Sequence, residues 1–276
     1  MIRRILLALG GTPFSEVALR RAIELAKLHD AQITAVPIVD SDYWKASIYR
    51  TNLSATAAVR LLETRPWELA EQRVRQIITD FEHQCECQEI PHTVLEPGGD
   101  PIHMLITQSR QHDLVIFGLR GLFDFTVVPD PAGTVARLVR EGVSPMIAAA
   151  PTYRDIRRVL IAYSGSTASA NAMKQFIQMA LWPDATIHIT CFDKDDPQAT
   201  SHLKEALAYC HAHGLNPTTS HERGPEPEGI CSYVQENGID LVVMGDSFEH
   251  LLIRGVLGDT AMDVLRKIER PLFLSH

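Results

Sequence analysis

Three glycines and a threonine in the first half of the chain have the chemistry to hold a polyphosphate without cationic side chains. Gly118 and Gly121 stand in Gly118-Leu119-Arg120-Gly121, directly after a short apolar run, and Gly133-Thr134-Val135 follows at the start of an amphipathic stretch. Glycine lets a backbone come close to a phosphate with its N–H groups aimed at it. A hydroxyl at a helix start adds a donor, and the helix dipole favours the anion. The second half offers Gly245-Asp246-Ser247-Phe248 and Gly258-Asp259-Thr260 in the same order. There Phe248 replaces the second glycine, and Asp259 sets a carboxylate where a phosphate would lie. Tight strand-to-helix turns without any ligand satisfy the same spacing, so residue types alone leave both readings open.

Other reactive groups carry weaker patterns. His83, Cys85, Cys87 and His92 lie close in sequence, as do Cys210, His211 and His213. A tetrahedral zinc site takes four nitrogen or sulfur ligands. Cys85 and Cys87 are one residue apart, an unusual ligand spacing, so both groups read as solvated helix ends and no metal site is expected. Asp124 and Asp130 have the oxygen chemistry for Mg²⁺ beside a phosphate, but read more simply as solubilising a loop that Pro129 and Pro131 stiffen. Ser164 and Ser166 have no nucleophile-elbow sequence around them, and Ser166 reads as a helix cap. With neither an HExxH nor a Ser/His/Asp order among the twelve histidines, no catalytic residue is expected.

The elements that position these groups occur twice. Ile2-Arg3-Arg4-Ile5-Leu6-Leu7-Ala8-Leu9-Gly10-Gly11-Thr12 aligns with Ile156-Arg157-Arg158-Val159-Leu160-Ile161-Ala162-Tyr163-Ser164-Gly165-Ser166 at an offset of 154, as does Ala31-Gln32-Ile33 with Ala185-Thr186-Ile187. Asp113-Leu114-Val115-Ile116-Phe117-Gly118 matches Asp240-Leu241-Val242-Val243-Met244-Gly245 at 127, and Ser144-Pro145-Met146-Ile147 matches Arg270-Pro271-Leu272-Phe273 at 126. The first copy therefore carries 27 extra residues, placed at about 43–67, where Tyr43, Trp44, Tyr49 and Trp67 read as packing on their own domain or as an interaction surface.

Within each copy, short apolar runs alternate with helical periodicity. Ile5–Leu9, Ile33–Ile38, His92–Leu95, Leu114–Phe117 and Met146–Ala149 read as strands. Between them, Ala18, Ala22, Leu25 and Ala26, then Ala70, Val74, Ile77 and Phe81, then Ile102, Leu105 and Ile106 mark helices, and 133–140 a last one. Alternation of this kind implies a parallel sheet. The predicted architecture is α/β, two doubly wound five-stranded parallel sheets in tandem, with domains at 1–151 and 155–276 and Pro151 at the boundary.

Composition narrows the function classes. Lys and Arg total 26 against 34 Asp and Glu, a formal charge of -8, so the basic face a nucleic-acid binder needs is not expected. No segment has the roughly 20 apolar residues that span a bilayer, so no membrane partner is expected. Five cysteines without a CxxC pair fit a reduced, cytoplasmic protein.

The strand-one phrase ILLALGGTPFSEVALRRA, the DLVIFG and DLVVMG strands, the glycine turns and the closing SPMIA and RPLFL strands resemble a tandem universal stress protein, in both halves and over nearly the whole chain. The resemblance implies a Rossmann-like, adenine nucleotide alpha hydrolase-like fold and a non-catalytic stress-response protein, at most a weak ATPase. It also implies ATP, with Mg²⁺ as companion ion, as ligand. It places Gly10, Gly11, Thr12, Gly118, Gly121, Gly133, Thr134 and Val135 at the nucleotide of the first domain. Ser164, Gly165, Gly245, Gly258 and Thr260 form the second-domain pocket. It further implies that the two domains pair through their last strands as an internal pseudo-dimer, leaving a homodimer and a protein partner open. The sequence departs from the family pattern in three ways. Gly10 and Ser164 replace the Asp that ends strand one, eleven residues rather than nine separate Gly121 from Gly133, and the second copy lacks its middle glycine. The first domain is therefore the expected phosphate site, and a nucleotide-independent scaffold with decayed pockets is the alternative.

Overall fold

A computed structural model describes residues 1–10, 13–38, 66–96, 100–118, 137–138, 141–192, 198–222, 226–245 and 269–275. The first half runs β1 (Arg4–Leu9), α1 (Pro13–His29), β2 (Gln32–Pro37), α2 (Pro66–Cys87), β3 (His92–Val94), α3 (Pro101–Ser109), β4 (Leu114–Gly118) and β5 (Met146–Ala149). The second runs β6 (Arg158–Ala162), α4 (Thr167–Met179), β7 (Thr186–Phe192), α5 (Ala199–Ala212), β8 (Thr218–Glu222), α6 (Glu226–Glu236), β9 (Leu241–Met244) and β10 (Leu272–Leu274). The predicted insertion lies outside the described residues except at its end, where Trp67 belongs to α2. That helix has 22 residues against 14 in α5, so it takes up part of the extra length. The helix expected over 133–140 also falls outside the described residues, apart from 137 and 138.

The ten strands form one sheet in the order β3-β2-β1-β4-β5-β10-β9-β6-β7-β8. Each half is parallel. The halves join where β5 and β10 pair antiparallel, Ile147 opposite Phe273. The sequence repeat returns as a repeated register: Ile5 pairs with Ile33 and Leu114, and Val159 with Ile187 and Leu241.

Strand side chains alternate between two helical layers, as a period of two requires. Ile5, Leu7 and Leu9 pack in the core that holds Ala18, Ala22, Leu25 and Phe81 of α1 and α2, and Val159 and Ile161 join it with Ala172 and Phe176 of α4. Leu6 and Ala8 face the other way, among Ile102, Leu105 and Ile106 of α3, and Leu160 meets Ile230 and Val234 of α6 in that layer. Strands covered on both faces are apolar throughout, which is why they read as runs.

Two short motifs in the repeat turn out to touch each other. Asp113, just before β4, accepts hydrogen bonds at Oδ2 from the N–H groups of Arg3 (2.7 Å) and Arg4 (2.9 Å). Asp240, before β9, accepts from Arg157 and Arg158, both at 3.0 Å. The carboxylate ties the start of one central strand to the start of its neighbour. One residue earlier, the His112 carbonyl accepts from the Ser144 hydroxyl, and the equivalent Ile239 carbonyl accepts from Arg270 Nε at 2.7 Å. Different side chains thus satisfy the same buried acceptor.

The chain crosses between halves over residues 150–157 without a helix or strand, and a polar cluster closes the joint. The Arg21 side chain, only 3% exposed, donates to Glu24 and to the Arg154 carbonyl (2.6 Å). Glu24 also accepts from Trp182 Nε1 (2.9 Å) and the Tyr153 hydroxyl (3.0 Å), so α1 of the first half is fixed to the linker and to the segment after α4. The Arg20 guanidinium lies 3.6 Å from the Tyr153 ring centre. Burial, reinforced by the Glu24 charge, raises the Tyr153 pKa and keeps its phenol a donor.

Candidate functional site

In an open parallel sheet a ligand sits beyond the carboxyl ends of the strands, where the strand order reverses. Each half reverses between its first and fourth strands: β1 beside β4, and β6 beside β9. Gly10 and Gly118 therefore reach one edge, and Ser164 and Gly245 the corresponding edge. Of the other expected site residues Gly165 is described. Gly11, Thr12, Gly121, Gly133, Thr134, Val135, Gly258 and Thr260 lie outside the described residues, as do Asp124 and Asp130.

The glycines that end β4 and β9 have the same close neighbour. A Cβ on Gly118 would stand 2.7 Å from Phe14 Cβ and 2.8 Å from the Phe14 backbone carbon; one on Gly245 would stand 2.4 Å from the Ala168 carbonyl carbon and 2.6 Å from the Ser169 nitrogen. Phe14 and Ala168 are equivalent in the repeat. Glycine is thus required where the first turn of α1, or of α4, passes over the end of the fourth strand. This contact brings the N-terminal end of that helix to the mouth of the crevice, where its N–H groups and dipole favour an anion.

The crevices differ beside the first strand. In the second half Ser166 caps α4, as its sequence predicts, accepting from the Ser169 N–H at 3.2 Å. The hydroxyl oxygens of Ser164, Ser166 and Ser169 lie 3.0 to 3.3 Å from one another, a closed cluster at the strand end. Gly165 has φ +76°, a left-handed conformation that suits glycine. The imidazole of His202, from the first turn of α5, rests on it, 2.3 Å from where a Cβ would be. Nothing in the sequence pattern singled out His202: α5 carries it from a different part of the chain. In the first half β1 runs into Gly10, which has no side chain to place there.

The Cys/His groups do not assemble as four-ligand sites. Cys85 and Cys210 are buried, and burial pushes their thiols up to about 12 and about 11. His213 lies tilted against Tyr209 with ring centres 4.5 Å apart, and His211 lies 3.3 Å from the Asn216 side-chain oxygen. Among the described residues no three His, Cys, Asp or Glu side chains converge as a metal site, and no helix is long and apolar enough to cross a membrane.

The model of the Universal stress protein family matches residues 1–142 and again 155–276. "Universal stress protein Slr1230" of Synechocystis sp. (strain ATCC 27184 / PCC 6803 / Kazusa) is 24% identical over 284 residues, covering 98% of this chain and 99% of that protein. A universal stress protein of Archaeoglobus fulgidus DSM 4304 has a similar fold, with a TM-score of 0.71 at 16% identity over 99% of this chain and 95% of the other. Two copies of the strand order, joined edge to edge, and two matches to one family model agree: the chain belongs to the universal stress protein family, in a tandem arrangement.

Proposed function

We propose that this protein is a stress-response binder of adenine nucleotide, ATP with Mg²⁺ as companion ion, that holds its ligand in the first-half crevice without turning it over. Domains 1–151 and 155–276 carry one working crevice and one degenerate crevice. The observation that carries this reading is the difference at the strand ends: β1 ends in the bare Gly10, whereas Ser164, Ser166, Ser169 and His202 crowd the end of β6. A net charge of -8 leaves the anion to backbone N–H groups and to the start of α1. Gly10, Gly11, Thr12, Gly118, Gly121, Gly133, Thr134 and Val135 are the residues assigned to it. Ser164, Gly165, Gly245, Gly258 and Thr260 are the remnant. The output is a change of affinity for a protein partner, or for a second copy of the chain, which requires the nucleotide to bind two states unequally. All five cysteines are free thiols, consistent with a reducing compartment such as the cytoplasm.

Titration calorimetry of the full chain with ATP, ADP and AMP, with and without Mg²⁺, tests this. One site per chain is expected, lost in Gly10→Phe. No heat and no thermal stabilisation at about millimolar nucleotide would overturn it.

A second reading, a scaffold indifferent to nucleotide, is favoured by the imidazole seated on Gly165. Stoichiometric nucleotide on the purified chain would defeat it. Steady phosphate release would instead place the protein among the ATPases.

A further inference from the structure

The last two turns of α2 bring together one of the histidines and one of the cysteines that the sequence had set aside. His83 and Cys87 are four residues apart and share a helix face. Both are exposed, and Cys87 Sγ lies 3.7 Å from His83 Nε2 and 3.8 Å from Nδ1. The other members of the group point elsewhere. Cys85 is fully buried in the core, and His92 has its Nδ1 2.9 Å from the Ile90 carbonyl, with its ring edge-on to Phe81. Zinc bonds of about 2.3 Å to sulfur and 2.0–2.1 Å to nitrogen, opened at the tetrahedral angle, set the two donor atoms about 3.6 Å apart. The His83–Cys87 separation is close to that bite, and because Sγ is nearly equidistant from the two nitrogens, a turn of the imidazole about its own side-chain bonds is what aims one lone pair at a metal shared with the sulfur.

The surroundings suit a cation. The last turn of α2 carries no basic residue, its C-terminal end is the negative end of the helix dipole, and Glu82, Glu86 and Glu89 are its acidic neighbours in sequence. A divalent cation bound there would sit at the negative end of that dipole. We infer that His83 and Cys87 form a two-ligand site for a borderline-soft divalent cation of the zinc class, completed by water and open to solvent. On binding, the metal–sulfur bond forms as the Cys87 S–H proton leaves to solvent, and His83 donates its neutral nitrogen lone pair. The site is separate from the nucleotide crevice and does not depend on it.

Cadmium is the probe, titrated into the full reduced chain and followed by its ultraviolet thiolate-to-metal charge-transfer band, with Zn²⁺ as competitor. One saturable band per chain is expected, displaced by Zn²⁺ and weakened as pH falls because both ligands must lose a proton. Cys87→Ser abolishes it. His83→Gln weakens binding on the order of tenfold or more, since the second ligand acts at high effective concentration. Cys231→Ser, at a site remote in sequence, leaves it unchanged. Both ligand positions are exposed, so these variants keep the fold, and circular dichroism verifies this. A band that survives Cys87→Ser, a His83→Gln variant that binds like the parent, or no saturable band in the parent would each overturn the inference.

Discussion

At the ends of β4 and β9 the same glycine meets the same helical turn, yet one strand over Gly10 stands opposite Ser164 in the repeat. The first contact belongs to the fold, and the second position is where the two halves differ. Gly118 and Gly245 are held by the path of α1 and α4, which any copy of this architecture must follow to cover its sheet. Gly10 is buried and brings no side chain to the strand end, whereas Ser164 brings a hydroxyl that joins Ser166 and Ser169. The two halves can therefore share a scaffold closely and still differ in what they bind.

The joint between the halves gives the sharpest way to break that symmetry. Glu24 receives hydrogen bonds from Arg21, Tyr153 and Trp182, while its repeat equivalent Gln178 donates to the Tyr209 hydroxyl at the surface. Glu24→Ala strands the buried Arg21 guanidinium and is expected to cost about 3–5 kcal/mol in urea denaturation. Gln178→Ala is expected within about 0.5 kcal/mol of the parent. Equal losses would mean that the joint is not where the halves differ.

The glycine contacts come next. Gly118→Ala and Gly245→Ala each force a methyl group onto helix backbone, and each is expected to cost about 1–3 kcal/mol. Similar losses confirm a shared structural role. A Gly118→Ala chain with parent stability and lost nucleotide binding would show instead that this glycine serves the ligand.

A third comparison turns on protons. His112 is buried, its Nδ1 lies 2.7 Å from the Gln108 carbonyl, and its Nε2 has no hydrogen-bond partner among the described residues; the repeat places Ile239 in the same position. Burial, together with the nearby Arg4 charge, lowers the His112 pKa below its ordinary 6.5, against the opposing pulls of the Gln108 hydrogen bond and Asp113. The unfolded chain then binds a proton that the folded chain refuses, so stability is full above that value and falls as pH drops through it. Denaturation from about pH 7 to about pH 5 is expected to show this slope, and His112→Leu to flatten it. His29 and His188, also lowered by burial, supply the slope that remains. An unchanged slope in His112→Leu would remove this residue from the account.

The smallest expected effect is on folding, though it bears most on function. His202→Ala is expected to change stability by less than about 1 kcal/mol, since the ring is only half-buried and rests on a glycine. It clears the space over Gly165, and calorimetry should detect weak nucleotide binding in the second half. If none appears, the serine cluster closes that crevice by itself.

Much of this was legible in the residues. The strand runs, the helix faces built from Ala18, Ala22, Leu25 and Ala26, the cap at Ser166 and the duplication all follow from local periodicity, and they reappear with the same register. The role of Asp113 and Asp240 was not, although both were plain members of the repeat. A carboxylate that caps a strand 110 residues away leaves no local mark. His202 escaped for the same reason.

The order of apolar runs, turns and caps is a property of neighbouring residues, and the sequence by itself determined it: two α/β units of one family, each with its crevice between the first and fourth strands. Which side chains enter those crevices was decided only by the tertiary structure. So was the tie of Arg21 and Glu24 to Trp182, and so was the meeting of His83 and Cys87 once Cys85 turned into the core. Packing distances of a few ångströms choose among residues that are far apart in the chain or that point to different sides of a helix, and linear spacing does not record that choice.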